Sequence, residues 1–372
     1  MTGSSGAITA ARRVAPVFSG SRLAAIRELV GMTQAEAASA AEITPSALSQ
    51  AERGRTKPSA ANIARLAQVL RVTPDAFVAR PEPAWGLPPQ FRHLRRTPAL
   101  ERRKAEQFIR AVAKVVWTLD DEVELPRFLG FTHDIDPDEP IGEVEDEIEA
   151  VASSTRAALG IDAYKPIGHK VLRRLERRGV VVVRDRETHP AIDAFSAVVE
   201  DVPIIVLDGG HDSVWDRDNF NLAHELGHLV MHRQVEGEPG TRTVEAQAHR
   251  FAAAFLGPAD ALRDELPSDL DWEHYLELKR EWGMSMAALV KRAFDLHVID
   301  KDTYTRAMKQ RSAFGWRTDE PGSDDRRPPR PRILREAAAR ADLSPKRIAR
   351  RTHLPKPVVE RIIGSKKPSL DA

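Results

Sequence analysis

Residues 221–232 read NLAHELGHLVMH. His224 and His228 are four positions apart. On a helix that spacing places one imidazole above the other, a two-armed clamp for a divalent ion. Glu225 then points to one side, where it reaches a water held by such an ion without binding the ion itself. A metal that acidifies water next to a carboxylate base suits hydrolysis of a carbonyl, peptide bonds included. A five-residue pattern also arises by chance, so a third ligand is required to sharpen it. Glu245, 17 residues after His228, opens the next helical stretch. Catalytic zinc commonly takes two histidines and a carboxylate and keeps a fourth position open. His232 and His249, one turn beyond His228 and Glu245, are rivals. Each is a candidate ligand or hydrogen-bond partner of a ligand, and His249 is also a candidate transition-state donor. With no cysteine in the chain, any metal must sit on His, Asp or Glu.

A second constellation lies at 32–70. Thr33 is suited to cap a helix starting at Gln34, whose Ala37, Ala38 and Ala41 form a small, close-packing face. Ile43 fills a turn, and Thr44 with Pro45 opens a second helix buried through Leu48. Two short helices joined by a tight turn form a helix-turn-helix. Thr44, Ser46, Ser49 and Gln50 would face the major groove, where hydroxyls and amides read base edges. Gln34, Arg53, Arg55 and Lys57 suit phosphates. Residues 21–80 hold eight basic and five acidic side chains, a modest excess that a homodimer reading two half-sites would double.

The elements that must position these residues follow from the pattern along the chain. Residues 1–18 read as a disordered tail, 19–80 as the helix-turn-helix domain and 81–145 as a linker (80–90 is RPEPAWGLPPQ) with a helical connector near 97–119. The acidic stretch at 134–147 separates it from helices at 143–159 and 166–178. Runs at 179–183, 194–199 and 202–207 are the strand candidates. On the motif helix, Asn221 is a candidate cap, Gly227 permits close approach of a neighbour, and Leu226, Leu229 and Val230 supply buried surface. The metal-site domain spans 146–265, with a helical extension at 266–316. A charged, proline-rich linker follows at 317–332, then a helical unit at 333–372. Ser344, Ala349, Leu354 and Val359 fall 311 positions after Thr33, Ala38, Ile43 and Leu48, which points to a second, degenerate helix-turn-helix. Residues 333–368 carry ten basic and three acidic side chains.

Composition sets the outer bounds. A chain of 372 residues with 30% charged and 42% hydrophobic residues predicts two or three globular domains. Its start lacks the apolar core of a signal peptide, and no run is long enough for a membrane span, so the expected location is cytoplasmic. The net charge of +1 selects no partner class.

Two resemblances sharpen the picture. TQAEAASAAEITPSALSQAERGRTKPS (33–59) resembles the Xre/Cro-repressor family of DNA-binding regulators. DNFNLAHELGHLVMHR, EAQAHRFAAAFLGP and WGMSMAALVKRAFDL, within about 165–300, resemble the ImmA/IrrE family of metallopeptidases. Asn221, His249 and Gly257 depart from that family's usual Thr, Asn or Asp, and Met or Leu. The resemblance implies metal ligands at His224, His228 and Glu245, a base at Glu225, and Zn2+ or Mn2+ as cofactor. Tyr164 and His249 are candidates for stabilising the oxyanion. The fold implied is mainly α and multidomain: a five-helix Xre-type bundle, an α+β zincin-like domain with a small sheet, and a C-terminal helical unit. The function implied is a regulator that binds double-stranded operator DNA, joined to an endopeptidase that cleaves a repressor or antitoxin-like protein. Two alternatives stand beside it, a regulator whose peptidase-like domain only senses a metal or ligand or dimerises, and a toxin–antitoxin component.

Overall fold

The structure, a computed structural model, describes residues 2–90, 98–128, 132–187, 192–210, 214–233, 241–317 and 319–364. Its helices are α1 (Thr2–Val14), α2 (Gly20–Leu29), α3 (Gln34–Ala40), α4 (Pro45–Glu52), α5 (Ala60–Val69), α6 (Ala99–Asp120), α7 (Ile141–Ala158), α8 (Val171–Arg177), α9 (Trp215–Met231), α10 (Arg242–Leu256), α11 (Ala259–Leu262), α12 (Trp272–Trp282), α13 (Met286–Asp295), α14 (Lys301–Ala313), α15 (Ile333–Arg340), α16 (Pro345–Thr352) and α17 (Lys356–Ile363). Its strands are β1 (Trp85–Gln90), β2 (Val181–Asp185), β3 (Ala194–Val199) and β4 (Val202–Asp208). The mainly helical architecture with one small sheet is the fold class the sequence implied. Contacts divide the chain into two compact units, Met1–Ala84 with Leu94–Leu125 and Arg332–Ala372, and Trp85–His93 with Pro126–Pro331.

In the first unit, side-chain caps set the helix starts. Ser19, Thr33, Thr44 and Ser59 each accept the amide three residues on, satisfying a donor the helix leaves unpaired. Thr33 and Glu36 complete a reciprocal capping box. Leu23, Ile26, Ala38, Leu48, Ile63, Leu66 and Phe77 form the core. The expected disordered tail is instead α1, whose Ala11 and Val14 are buried in that core. Its alanines and valine give enough apolar surface to dock a helix, although the segment is rich in Gly and Ser. On α6, Ala105, Phe108, Ile109, Val112, Val116 and Leu119 recur at helical spacing and are buried. Helices α2, α15, α16 and α17 all pack on α6.

In the second unit the strands run in the order β1-β3-β4-β2. β2 lies parallel to β4, with Val181 opposite Ile204, and β3 lies antiparallel to β4. The three β-branched runs are buried almost throughout, as a sheet covered on both faces requires. β1 falls in the stretch read above as linker. Its two prolines sit on an edge strand, where a missing amide costs no ladder bond, and the register shifts around them. α9 packs on β3 and β4, and α10 packs on α9 and α7.

The second expected linker is also ordered. Glu320 accepts the amides of Met286 and Ala287 at 2.8 and 3.1 Å and pairs with Arg311. Lys279, fully buried, donates to Ser323 and faces Asp216 and Glu320. Arg184 and Arg173 donate to the carbonyls of Pro329 and Arg330. Charged, proline-rich composition predicts a free linker only when its charges lack buried partners, and here they have them. Residues 91–97, 129–131 and 318, in the expected connector and linkers, and 365–372, in the expected C-terminal unit, lie outside the described residues.

Candidate metal centre

Helix α9 begins at Trp215, with Asp216 and Asp218 in a first turn whose dipole they complement. Asn221 is therefore inside the helix and does not cap it. Two further turns bring His224, Glu225 and His228 into the interior at 4, 4 and 1% exposure. Helix α10, capped by Thr241, runs beside α9 and carries Glu245 in its first turn. The close crossing depends on Gly227: a Cβ there would lie 2.9 Å from Cδ1 of Phe251.

The three donors converge. His224 Nε2 and His228 Nε2 are 3.2 Å apart, and the Glu245 carboxylate oxygens lie 3.4 and 3.6 Å from them. Ligand atoms about 2.05 Å from a tetrahedral metal stand roughly 3.3 Å from one another. The donor set is thus spaced for an ion at its centre, and all its ligand atoms fall within 4.8 Å of each other. Glu225 is absent from this trio. Its Oε2 accepts the Ser196 hydroxyl of β3 at 2.6 Å.

A buried polar chain fixes the tautomers. The amide nitrogen of Gln247 donates to the carbonyls of Asp136 and Glu139 at 2.8 and 2.9 Å. Those carbonyls can only accept, so the amide oxygen of Gln247 faces His232 Nε2, 2.9 Å away. His232 Nε2 must donate, which leaves its Nδ1 to accept from His228 Nδ1 at 3.1 Å. His228 therefore keeps its lone pair on Nε2, directed to His224 and Glu245. Burial, followed by the neighbouring His224 and His232, holds His228 well below the usual histidine range. Burial likewise lowers His232. Neutral imidazole is the form that binds a metal.

His232 thus lies against His228 rather than in the three-donor group. His249 sits with its ring edge-on to His224, centroids 4.6 Å apart, and also contacts Phe220. Tyr164 is 67% exposed. Sequence reasoning missed Ser196, Gln247 and the carbonyls of Asp136 and Glu139. Gln247 sits two residues after Glu245, but nothing in the spacing tied it to a loop more than 100 positions earlier.

In the helix-turn-helix, Thr44, Ser46, Gln50, Arg53, Arg55 and Lys57 are exposed and Ser49 is half-buried. Gln34 is not offered outward as expected. Its amide nitrogen donates to Glu52 Oε2 at 2.6 Å, and Glu52 also receives Arg27, both side chains being buried.

Comparison with known protein families gives matches over two stretches. Residues 175–294 match the peptidase family described as IrrE N-terminal-like domain, and residues 23–77 match the helix-turn-helix family. The chain joins a helix-turn-helix to an IrrE-like domain. A search of curated proteins finds no match. A solved structure described as a Mycobacterium tuberculosis transcriptional regulator is similar at 18% identity and a TM-score of 0.30, over 41% of this chain and 51% of that one. The chain therefore spans about half the length of that regulator. Among the described residues, no helix is long and apolar enough to cross a membrane.

Proposed function

We propose that this chain is a DNA-binding regulator whose IrrE-like domain is a metal-dependent endopeptidase. The observation that carries the reading is the spacing of His224, His228 and Glu245 around one point, with Glu225 held beside them by Ser196. These three residues would hold Zn2+ or Mn2+. The bound ion supplies Lewis acidity, polarising the scissile carbonyl and making water acidic near neutral pH. Glu225 takes the proton of the attacking water and returns it to the leaving amine. Ser196 orients that carboxylate, and His232 with Gln247 holds the His228 ring in the ligating tautomer. His249, whose ring packs edge-on against that of His224, is assigned to the oxyanion. The exposed side chains of Thr44, Ser46 and Gln50, with the half-buried Ser49, read base edges, and Arg53, Arg55 and Lys57 hold phosphates of a duplex operator. Two copies reading two half-sites supply the affinity that one modestly charged unit lacks.

The substrate class is a protein, a repressor or antitoxin-like partner. The test incubates the full chain, loaded with zinc or manganese, with purified helix-turn-helix repressors, beside the chelator-stripped chain and Glu225→Gln. Mass spectrometry reads the products. Metal-dependent cleavage that Glu225→Gln abolishes while still binding metal supports the reading. A wild-type chain that binds metal and DNA but leaves every substrate intact would identify a metal-responsive regulator instead.

A further inference from the structure

The C-terminal helices repeat the first helix-turn-helix in helix positions, caps and backbone conformation. A shift of 311 positions carries the start of α3, Gln34, onto that of α16, Pro345, and carries α4 (Pro45–Glu52) onto α17 (Lys356–Ile363) from end to end. The caps coincide: Thr33 accepts Glu36 N at 3.2 Å, and Ser344 accepts Arg347 N at 3.3 Å. The left-handed residues that separate the helices coincide as well. Gly31 (φ 71) maps to Asp342 (φ 49), and Glu42 (φ 54) maps to His353 (φ 54). Buried positions follow the same shift, with Leu23, Ala38, Leu48 and Ala51 mapping to Leu334, Ala349, Val359 and Ile362.

The chemistry of the two surfaces differs. The base-reading positions Thr44, Ser46, Ser49 and Gln50 become Pro355, Pro357, Glu360 and Arg361. Proline offers no side-chain donor, Glu360 is held by Lys356 at 2.9 Å, and Arg361 lies over the Phe108 ring of α6. Direct readout is lost on α17. On α16 the reverse has happened. Lys346, Arg347 and Arg350 are exposed, where the first copy has Ala35, Glu36 and Ser39. Residues 333–364 hold eight basic side chains against three acidic ones. In a helix-turn-helix the first of the two helices crosses the phosphate backbone, and α16 is that helix.

We propose that α15–α17 is a second duplex-DNA contact, independent of sequence, in which Lys346, Arg347 and Arg350 bind phosphates. It does not depend on the peptidase reading. The test uses the full chain and a fluorescein-labelled 30-bp duplex of random sequence, with binding measured by anisotropy from low to moderate salt. Each phosphate contact contributes about 0.9 to the slope of log K against log salt. The triple variant Lys346→Gln, Arg347→Gln, Arg350→Gln should lower that slope by about 3 and weaken binding on the order of 10²-fold near 0.15 M salt, equally for every sequence. All three sites are exposed, so the fold should hold, and circular dichroism and metal affinity check it. A parallel Arg53→Gln, Arg55→Gln variant reports the first copy's share. A triple variant with the wild-type slope, or a wild-type chain without salt-dependent binding to random duplex, overturns the proposal. If only the Arg53/Arg55 variant loses slope, the first copy supplies all phosphate contact and the proposal is likewise overturned.

Discussion

Replacing His232 by phenylalanine tests the polar chain behind the candidate metal centre. The ring fills much the same space but can neither accept from His228 Nδ1 nor donate to Gln247 Oε1, bonds of 3.1 and 2.9 Å. Two separate costs follow. Each buried group left without its partner costs about 1–3 kcal/mol, so the metal-free chain should lose roughly 2–4 kcal/mol of stability, since phenylalanine recovers some burial. The second cost falls on the ligand itself. Once His228 Nδ1 has no acceptor, the ring samples the tautomer that places a proton on Nε2, the atom that must bind. Losing such a partner typically lowers metal affinity 10–100-fold, about 1.4–2.7 kcal/mol. The assay is competition for zinc against a chromophoric chelator under conditions where circular dichroism shows the variant folded. Urea melts in excess chelator give the first cost independently. His232→Gln, whose amide can both accept and donate, should recover part of the affinity. If His232→Phe folds and binds zinc within threefold of wild type, or if His232→Gln is no better than His232→Phe, the tautomer argument fails.

Further expectations concern other sites. Ser196→Ala removes the hydroxyl that holds Glu225, a hydrogen bond to a charged group worth about 1.5–3 kcal/mol; kcat/KM on a cleaved substrate should fall about 10–100-fold with zinc affinity unchanged. Gly227→Ala places a methyl against Phe251, and the overpacking should outweigh the helix-propensity gain, lowering stability by about 1–2 kcal/mol in urea melts. Burial, with Arg22 adding repulsion, pushes the Lys114 amine down to about 8 from its usual 10.5. Below pH 8 the folded chain must hold that amine charged, at a cost of about 3 kcal/mol, and the cost is relieved as pH rises from 8 to 10.5. Arg22 and Arg110 still face Glu82 without it, so Lys114→Met should be more stable than wild type at pH 7 and show a flatter rise toward pH 10; equal slopes in urea melts would contradict this.

Much of the candidate site's geometry was legible because it depends on short spacings. The four-residue separation of His224 and His228 fixes their common face on any helix, and Glu245 opens the helix that packs beside them. The strands at 181–208 were legible from unbroken β-branched runs. What escaped depends on pairing across long separations. β1 looks like a linker because its two prolines are tolerated only at a sheet edge, and edge position is a property of the fold. Gln34 looks available for phosphate until Glu52, 18 residues on, claims its amide. Ser196 is an ordinary strand residue until α9 crosses β3 and sets Glu225 over it. The segment 317–332 reads as linker because nothing local shows that Lys279 and Trp215 await Glu320, Ser323 and Gly322. The C-terminal repeat lies between these cases: four matching residue types, the cap pair Thr33 and Ser344 among them, suggested it, and the left-handed turn residues that coincide at the same shift are visible only in the backbone.

The last turn of α9 ends without a glycine or side-chain stop. The carbonyls of Val230 and Met231 are taken by the amides of His133 and Ile135, at 3.0 and 3.1 Å, and the same loop anchors Gln247 through Asp136 and Glu139. The helix that carries the clamp therefore cannot fray at this end unless a strand of chain nearly 100 residues away lifts off with it. In hydrogen exchange the amides of His133, Ile135 and His232 belong to one opening event with one free energy, and an ion held by His228 would slow all three by the same factor.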